Sequence, residues 1–189
     1  MSRPTTTYTA EVRSALRGIL ALLTGDRSAA RYFDFSRSGM AGSFIAVLAV
    51  AAVQLVAQVA LGIGGPGDIT RGAVQTVIIY GAFIGASAVL LSLIGRRDAF
   101  PPFVVTYNWT NAALTVLLPF LFLTGVLPTL VVTLVVTLLL LVNIGRLVMT
   151  LKGGQIAMLL ATQMIGGIVA LIIVSVLFPV GPGEMGLLQ

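Results

Sequence analysis

Apolar residues occur along this chain in long uninterrupted stretches, with polar residues gathered between them. Only seven residues between Phe44 and Phe178 are charged, and all seven lie in short clusters between the stretches. A helix of about 20 apolar residues crosses the core of a bilayer. Apolar and polar residues do not alternate with a period of two, which argues against strands. The pattern therefore predicts an all-α polytopic membrane protein.

The stretches predict five transmembrane helices, separated by glycine and proline residues. The expected spans are 43–63, 73–94, 103–123, 127–145 and 155–178. No charge occurs over the 43 residues from Phe103 to Gly145. That length exceeds one crossing of about 30 Å, so we expect a hairpin that turns near Thr124–Pro128. The expected organisation is a cytoplasmic segment (1–40), a five-helix transmembrane domain (41–180) and a short external tail (181–189).

The positions of lysine and arginine predict the orientation of the chain. With five spans, the two termini lie on opposite sides of the membrane. If the N-terminus is cytoplasmic, that side holds all the lysines and arginines except Arg71. Cytoplasmic loops are enriched in these residues, so we expect a cytoplasmic N-terminus and a periplasmic C-terminus.

The segment before the first span contains apolar residues at helical spacing. They are Tyr8, Val12, Leu16, Ile19, Leu20 and Leu23. Charged residues occupy the remaining surface, which predicts an amphipathic helix lying in the membrane interface. Thr24-Gly25 is expected to end it, and Asp26 to cap a second short helix. The long helix is either an anchor that fixes the entry of the chain into the bilayer or a docking surface for a soluble partner.

A polar patch interrupts the third expected span at Thr106–Asn111. On a helix, Asn108, Asn111 and Thr115 fall on one face. Carboxamides are costly in hydrocarbon unless they form hydrogen bonds, so each should meet a partner from another span. The expected polar cluster inside the membrane comprises Asn108, Asn111, Thr115, Asn143, Gln54, Gln58 and Gln163, with Gln75 as a further possible partner. It is interpreted either as hydrogen bonding that holds helices together or as a polar pocket for a ligand or permeant.

Two further sets of residues have predicted roles. Small residues at four-residue spacing let helices approach closely, and the expected packing positions are Gly81, Gly85, Gly166 and Ala170. These positions serve contacts within the chain or dimerisation, with the former favoured. A basic collar, Arg96, Arg97, Arg146 and Lys152, is expected at the cytoplasmic surface. It sets the topology, and it would bind anionic lipid headgroups.

Composition excludes more activities than it supports. The 189-residue chain is 58% hydrophobic and 9% charged, with mean hydropathy +1.07, no cysteine and no histidine. Thiol chemistry and most zinc, copper and haem sites are therefore excluded. Its net charge of +5 lies beside apolar spans, which favours lipid headgroups over nucleic acid. No catalytic residue, metal or cofactor is predicted, and an enzyme is not expected.

One stretch carries a resemblance to a known family. Gly95 to Pro101 reads GRRDAFP, and Thr106-Tyr107-Asn108 follows at the head of the third span. This arrangement resembles bacterial relatives of the Ypt-interacting-protein (YIP) superfamily. Residues 25–36, which read GDRSAARYFDFS, and Tyr107-Asn108-Trp109 also look like those of alphaproteobacterial inner-membrane proteins. The resemblance implies a cytoplasmic N-terminal segment, five spans and an external C-terminus. It implies location in a bacterial inner membrane and supplies no biochemical activity.

Two functions are consistent with these features. The first is a non-enzymatic scaffold or accessory protein that binds anionic lipid or a membrane partner, either another integral protein or further copies of itself. The second is a small transporter or channel in which Asn108, Asn111, Asn143 and Gln54 line a neutral polar path.

Overall fold

A computed structural model describes residues 8–62, 65–123 and 125–179. Within these ranges the chain is helical and contains no strand, so the all-α prediction is confirmed there. The predicted external tail, 181–189, lies outside the described residues. So does residue 124, at which the predicted hairpin turn begins.

Six α-helices follow one another along the chain. They are α1 (Tyr8–Thr24), α2 (Arg37–Ala60), α3 (Pro66–Leu93), α4 (Phe100–Phe122), α5 (Val126–Asn143) and α6 (Gly153–Leu177). Short 3₁₀ turns cover Ala29–Tyr32 and Arg97–Ala99, and α5 continues into a π-helical turn at Ile144–Val148. Each apolar stretch of the sequence therefore forms one helix. The largest differences are the starts of α2 and α3, which begin six and seven residues earlier than expected. The Ser36 side chain caps α2 by accepting a hydrogen bond from the Gly39 amide. Pro66 begins α3, where its fixed φ suits the first turn of a helix.

Four of the six helices are long and apolar enough to cross a membrane. They are α2, α3, α5 with its π-helical turn, and α6, and they indicate a membrane protein. The third expected span, α4, has 23 residues and no charge, but Thr106–Asn111 makes its first half more polar than the other four.

Contacts between loops define the two ends of the bundle. The guanidinium of Arg96, between α3 and α4, donates a hydrogen bond to the Met149 carbonyl between α5 and α6 (2.8 Å). At the other end, Arg71 near the start of α3 donates to the carbonyl of Phe178 just after α6 (3.0 Å). The amide of Asn143 donates to the Leu22 carbonyl, which places α1 at the first of these ends (2.7 Å). We call it the α1 end.

The helices pack closely at the α1 end and separate at the opposite end. α2 packs mainly on α4, and α3 mainly on α6, whereas the consecutive helices α2 and α3 hardly touch. Fully buried side chains such as Leu91, Phe103, Ile144 and Leu159 lie toward the α1 end. In the opposite half of α2, Ala51 to Gly62 are all exposed except Gln54. The opposite half is therefore open on several sides.

α1 is docked against this packed end. Ala15 and Leu22, on the inner face of α1, are fully buried. Gly18 lets the ring of Phe33 approach, since a methyl group at Gly18 would meet that ring at 2.6 Å. Leu16 and Leu20, by contrast, are 50% and 62% exposed. α1 thus buries one face in the protein and leaves apolar residues on another.

Gly166 of α6, one of the predicted packing positions, lies in close contact with α3. A methyl group there would lie 3.1 Å from Cβ of Ala86 and 3.4 Å from the Ala82 carbonyl oxygen in α3. The neighbouring Ala170 is fully buried. Gly81 and Gly85 of α3 have the same spacing, but no described atom outside their own helix would lie within 4 Å of a methyl group at either position. The two pairs therefore occupy different environments.

We expect Gly166→Leu to destabilise the protein by about 1–3 kcal/mol, because the added side chain forces α3 and α6 apart. Thermal unfolding in mild detergent measures this effect. Gly85→Leu is the matched control and should be neutral or slightly stabilising, since leucine favours a helix more than glycine. Equal losses for both variants would contradict the described α3–α6 contact.

Candidate functional site

Asn108 joins three helices inside the bundle. Its side chain is fully buried in α4. The Asn108 amide donates to the Ser43 hydroxyl of α2 (3.0 Å), and the Tyr80 hydroxyl of α3 donates to the Asn108 carbonyl oxygen (2.5 Å). Ser43 in turn donates to the Met40 carbonyl (2.8 Å). Both ends of the carboxamide are thus paired, as an apolar environment requires.

Two other predicted carboxamides connect different helices. Asn143, at the end of α5, is buried and donates to the Leu22 carbonyl of α1 at 2.7 Å. That carbonyl lies in the last turn of α1, where helix carbonyls lack partners within the helix. Gln163 of α6 is buried and donates to the Ser87 hydroxyl and to the Phe83 carbonyl of α3. Each carboxamide therefore stabilises one specific helix contact.

Asn111 and Thr115 were expected on the same face of α4 as Asn108, but they take no part in the hydrogen bonds of Asn108, Asn143 or Gln163. Asn111 is half-buried and lines a small cavity of about 70 Å³ between α4 and α5. Within the described residues, its side chain has no hydrogen-bond partner. Thr115 is half-buried one turn further along α4.

The two glutamines of α2 lie far from Asn108. Gln54 and Gln58 line a cleft of about 340 Å³ between the opposite-end halves of α2 and α3. Small residues of α3, Gly72 and Ala73, form part of its other wall, together with Thr76. Neither glutamine has a hydrogen-bond partner in the part of the chain that the structure describes.

The seven residues of the predicted polar cluster are thus distributed over several places. The glutamines expected to pair with Asn108 do not contact it, and its partners are the hydroxyls of Ser43 and Tyr80. Sequence reasoning missed both residues. A signal was available for Tyr80, since a tyrosine in the middle of an apolar helix needs a partner for its hydroxyl. Ser43 follows Gly39 and Gly42, whose small size brings α2 close to its neighbours.

The predicted basic collar divides into one structural arginine and three exposed cations. Arg96 forms an ion pair with Asp98 at 3.2 Å and also donates to the Thr150 hydroxyl. Thr150 has a positive φ of 53°, a conformation that is unfavourable for a β-branched residue. Arg96 thus connects the α3–α4 loop with the α5–α6 loop. Its hydrogen bonds to the Asp98 carboxyl lower the pKa of that group, and its positive charge adds to the shift.

The other collar residues, Arg97, Arg146 and Lys152, are exposed at the α1 end. Arg97 donates a hydrogen bond to the Ser92 hydroxyl at 2.9 Å. On α1 itself, Arg13 and Arg17 are also exposed. This end of the molecule therefore presents a positively charged surface.

An apolar groove of about 400 Å³ lies beside this basic surface, between α1, α2 and α4. Its lining is almost entirely apolar and comprises Tyr8, Val12, Leu16, Ile19, Ala46, Ala49, Val50, Trp109, Ala112, Ala113, Val116 and Leu117. A second apolar space of about 310 Å³, between α1, α4 and α5, shares Ile19, Ala113 and Leu117 with it. The two spaces therefore run side by side along α4. Their volumes are in the range of ligand pockets, about 300–1,000 Å³.

The contact between α1 and α2 includes a carboxyl group. Glu11 of α1 lies against Gly42 of α2, where a methyl group would meet its Oε1 at 2.6 Å. That oxygen is buried and has no hydrogen-bond partner among the described residues. Burial raises the pKa of the Glu11 carboxyl above its ordinary value, and the nearby charge of Asp34 adds to the shift.

No group of acidic, histidine or cysteine side chains in the described residues could hold a metal ion. Comparison with models of known protein families, with curated proteins and with solved structures gives no match.

We expect Asn108→Leu to lower stability by about 1–3 kcal/mol, because it removes the hydrogen bonds that Asn108 forms with the Ser43 and Tyr80 hydroxyls inside the bundle. Thermal unfolding of the purified protein in mild detergent measures the loss. Asn111→Leu is the matched control on the same helix and should change stability little, since no hydrogen bond is lost. If both substitutions proved equally harmless, Asn108 would not hold the three helices together.

Glu11 should make stability depend on pH. Its folded pKa is raised, so the native state binds the proton more tightly than the unfolded chain does. Stability should then fall as pH rises from near 4.5, the ordinary value, through the raised pKa, and remain lower above it. Glu11→Gln should remove this fall and raise the unfolding temperature at neutral pH.

Asp26 provides a control of opposite sign. Its pKa is lowered by hydrogen bonds from the backbone and side chain of Ser28, so its stabilisation is present above the ordinary pKa and lost at lower pH. Asp26→Asn should therefore slightly lower the unfolding temperature at neutral pH. Unfolding temperatures of Glu11→Gln and of the parent between pH 4 and pH 8 test Glu11, and a Glu11→Gln profile identical to the parent would refute its role. Comparison of Asp26→Asn with the parent at neutral pH tests the opposite sign.

Proposed function

We propose that this protein is a non-enzymatic accessory protein of a bacterial inner membrane that binds an anionic phospholipid at its α1 end. The observation that carries the proposal is the apolar groove between α1, α2 and α4 beside exposed arginines. An acyl chain matches the groove, because transfer of hydrocarbon into an apolar space is favourable and needs no polar partner. The headgroup would remain at the surface.

The arginines of α1 are suitably placed for an anionic headgroup. Arg13 and Arg17 directly follow Val12 and Leu16, which line the groove. Successive helix residues are about 100° apart, so both arginines are exposed on the flank of α1 next to the groove, and their long side chains would reach a headgroup at its mouth. Each cation near an anionic membrane surface contributes about 1 kcal/mol of attraction. Arg97, Arg146 and Lys152 add exposed positive charge at the same end. The predicted role of the collar in lipid recognition is retained for these three residues, whereas Arg96 is engaged with the loops.

The proposal includes the membrane arrangement expected from the sequence. Support for α4 as a fifth span comes from its hairpin with α5, in which the Thr129 hydroxyl donates to the Leu121 carbonyl at 2.7 Å. Because α5 returns to the α1 end, α4 must run the same distance in the other direction. The basic surface at that end favours a cytoplasmic α1 end and N-terminus. α1 would then lie in the interface as an amphipathic helix, with Leu16 and Leu20 against lipid.

The proposal also includes a relation between this chain and the YIP superfamily. It rests on the sequence resemblance at Gly95–Pro101 and Thr106–Asn108 and on the five-span arrangement. Transport along a neutral polar path has less support. Of its expected lining residues, Asn108 and Asn143 are engaged in helix contacts, and Gln54 and Asn111 line separate spaces.

We expect Ala49→Phe to reduce bound phosphatidylglycerol several-fold, because the new ring fills the groove from an exposed position on α2. Native mass spectrometry of protein from mild detergent, after incubation with phosphatidylglycerol or phosphatidylcholine, measures the bound lipid. Ala57→Phe is the matched control, since Ala57 is exposed on the same helix outside the groove. Undiminished binding by Ala49→Phe would refute the groove as the acyl-chain site.

The headgroup contribution is separated by a second variant. Arg13→Gln combined with Arg17→Gln should reduce the preference for phosphatidylglycerol over phosphatidylcholine while lipid still binds, because the apolar groove is unchanged. An undiminished preference would assign headgroup recognition to Arg97, Arg146 and Lys152 alone. Equal binding of both lipids by the parent protein would contradict anionic selectivity altogether.

A further inference from the structure

The opposite-end half of α2 is exposed on almost every side. Val53, Val56 and Val59 are more than 60% exposed, and the only residue from Ala51 to Gly62 that is not exposed is Gln54. One lipid-facing side would account for part of this exposure. Exposure on all sides leaves the cleft between α2 and α3 uncovered as well.

The uncovered cleft contains carboxamides at membrane depth. Gln54 lies six residues before Ala60, the last residue of α2, which is about 9 Å along the helix axis. A bilayer core is about 30 Å thick, so Gln54 lies within it when α2 crosses the membrane. Gln58 lies one turn further, near the surface. Within the described residues neither side chain has a hydrogen-bond partner, and unpaired carboxamides are unfavourable in hydrocarbon.

We propose that a second copy of this chain occupies the cleft, with α2 packed against α2 of the partner about a two-fold axis along the membrane normal. Two copies in one membrane share the same orientation, so this axis brings each residue of α2 opposite its own counterpart at the same depth. A carboxamide has both a donor and an acceptor and therefore pairs with an identical group. Gln54 pairs with Gln54 of the partner, and Gln58 with Gln58.

The wall formed by α3 fits this occupant. Gly72 and Ala73 line the cleft, and no described atom outside α3 lies within 4 Å of a methyl group at Gly72, so a helix backbone can approach closely. The dimer surface is independent of the lipid groove: α2 lines the groove with Ala46, Ala49 and Val50 and the cleft with Ala51, Gln54 and Gln58. The proposed dimer can therefore be tested independently of lipid binding.

Self-association of the full-length protein in lipid nanodiscs or liposomes tests the proposal, for example by single-molecule photobleaching at increasing dilution. The parent protein should form dimers. Gln54→Leu should weaken the dimer about three- to tenfold, from the usual strength of hydrogen bonds between membrane helices. Gln54→Asn, which keeps the carboxamide, should restore part of the association. Gln75→Leu is the matched control, a glutamine of α3 outside the cleft, and should leave the dimer unchanged.

Folding and dimerisation can be separated in the same variants. Gln54 forms no hydrogen bond within the described monomer, so the thermal stability of monomeric Gln54→Leu should equal that of the parent. A monomeric parent protein, with or without lipid in the cleft, would overturn the proposal. So would a Gln54→Leu variant that dimerises as strongly as the parent.

A single-cysteine experiment tests the geometry, since the chain has no cysteine of its own. Leu61 follows Gln54 by seven residues and therefore lies on the same face at the end of α2. Leu61→Cys should form a disulfide-linked dimer under mild oxidation. Leu123→Cys is the control at the same end of the bundle, where Leu123 is 85% exposed after α4. Equal cross-linking at both positions would overturn the α2–α2 arrangement.

Discussion

The pairing of carboxamides inside an apolar bundle is the constraint on which the rest of this structure depends. Asn108 binds Ser43 of α2 and Tyr80 of α3, so one side chain sets the relative positions of three helices. In hydrocarbon, helices gain little from apolar association, because the lipid is as apolar as the helix surface. Directional hydrogen bonds and close contacts of small residues must therefore specify which helices are neighbours.

This constraint explains why the two halves of the bundle differ. Most of the buried polar pairs lie toward the α1 end, where Asn143 binds the Leu22 carbonyl and Gln163 binds Ser87. Where such pairs are missing between α2 and α3, the helices separate and form the cleft lined by Gln54 and Gln58. The packed end also supports α1 and the groove beneath it. Rigid packing thus lies next to the proposed lipid site, and the open half is left for the proposed second copy.

The helices could be predicted from the sequence, but their pairing could not. The apolar stretches predict the positions of α2 to α6, although α2 and α3 begin six and seven residues earlier than expected. Local prediction succeeds because a helix in lipid satisfies its own backbone locally. The hydrogen-bond partner of Asn108 depends on which helices are neighbours. From residue type alone, Gln54 was expected as that partner, whereas the structure pairs Asn108 with Ser43. Gly81 and Gly166 begin identical small-residue spacings, yet only Gly166 has another helix against it. Which spacing is used is decided by tertiary contacts that no local pattern records.

The basic residues show the same limit for electrostatics. Residue type alone does not distinguish the four cations of the basic collar, Arg96, Arg97, Arg146 and Lys152. All four support a cytoplasmic α1 end equally in the prediction from the sequence. Arg96 is distinguished by the loop it meets, where Thr150 adopts a positive φ and presents its hydroxyl and carbonyl to the guanidinium. An arginine held in this way contributes less to a lipid headgroup than a free one, because its donors are already used. Under the proposed function, headgroup recognition therefore falls to the exposed cations Arg97, Arg146 and Lys152 and to Arg13 and Arg17 of α1.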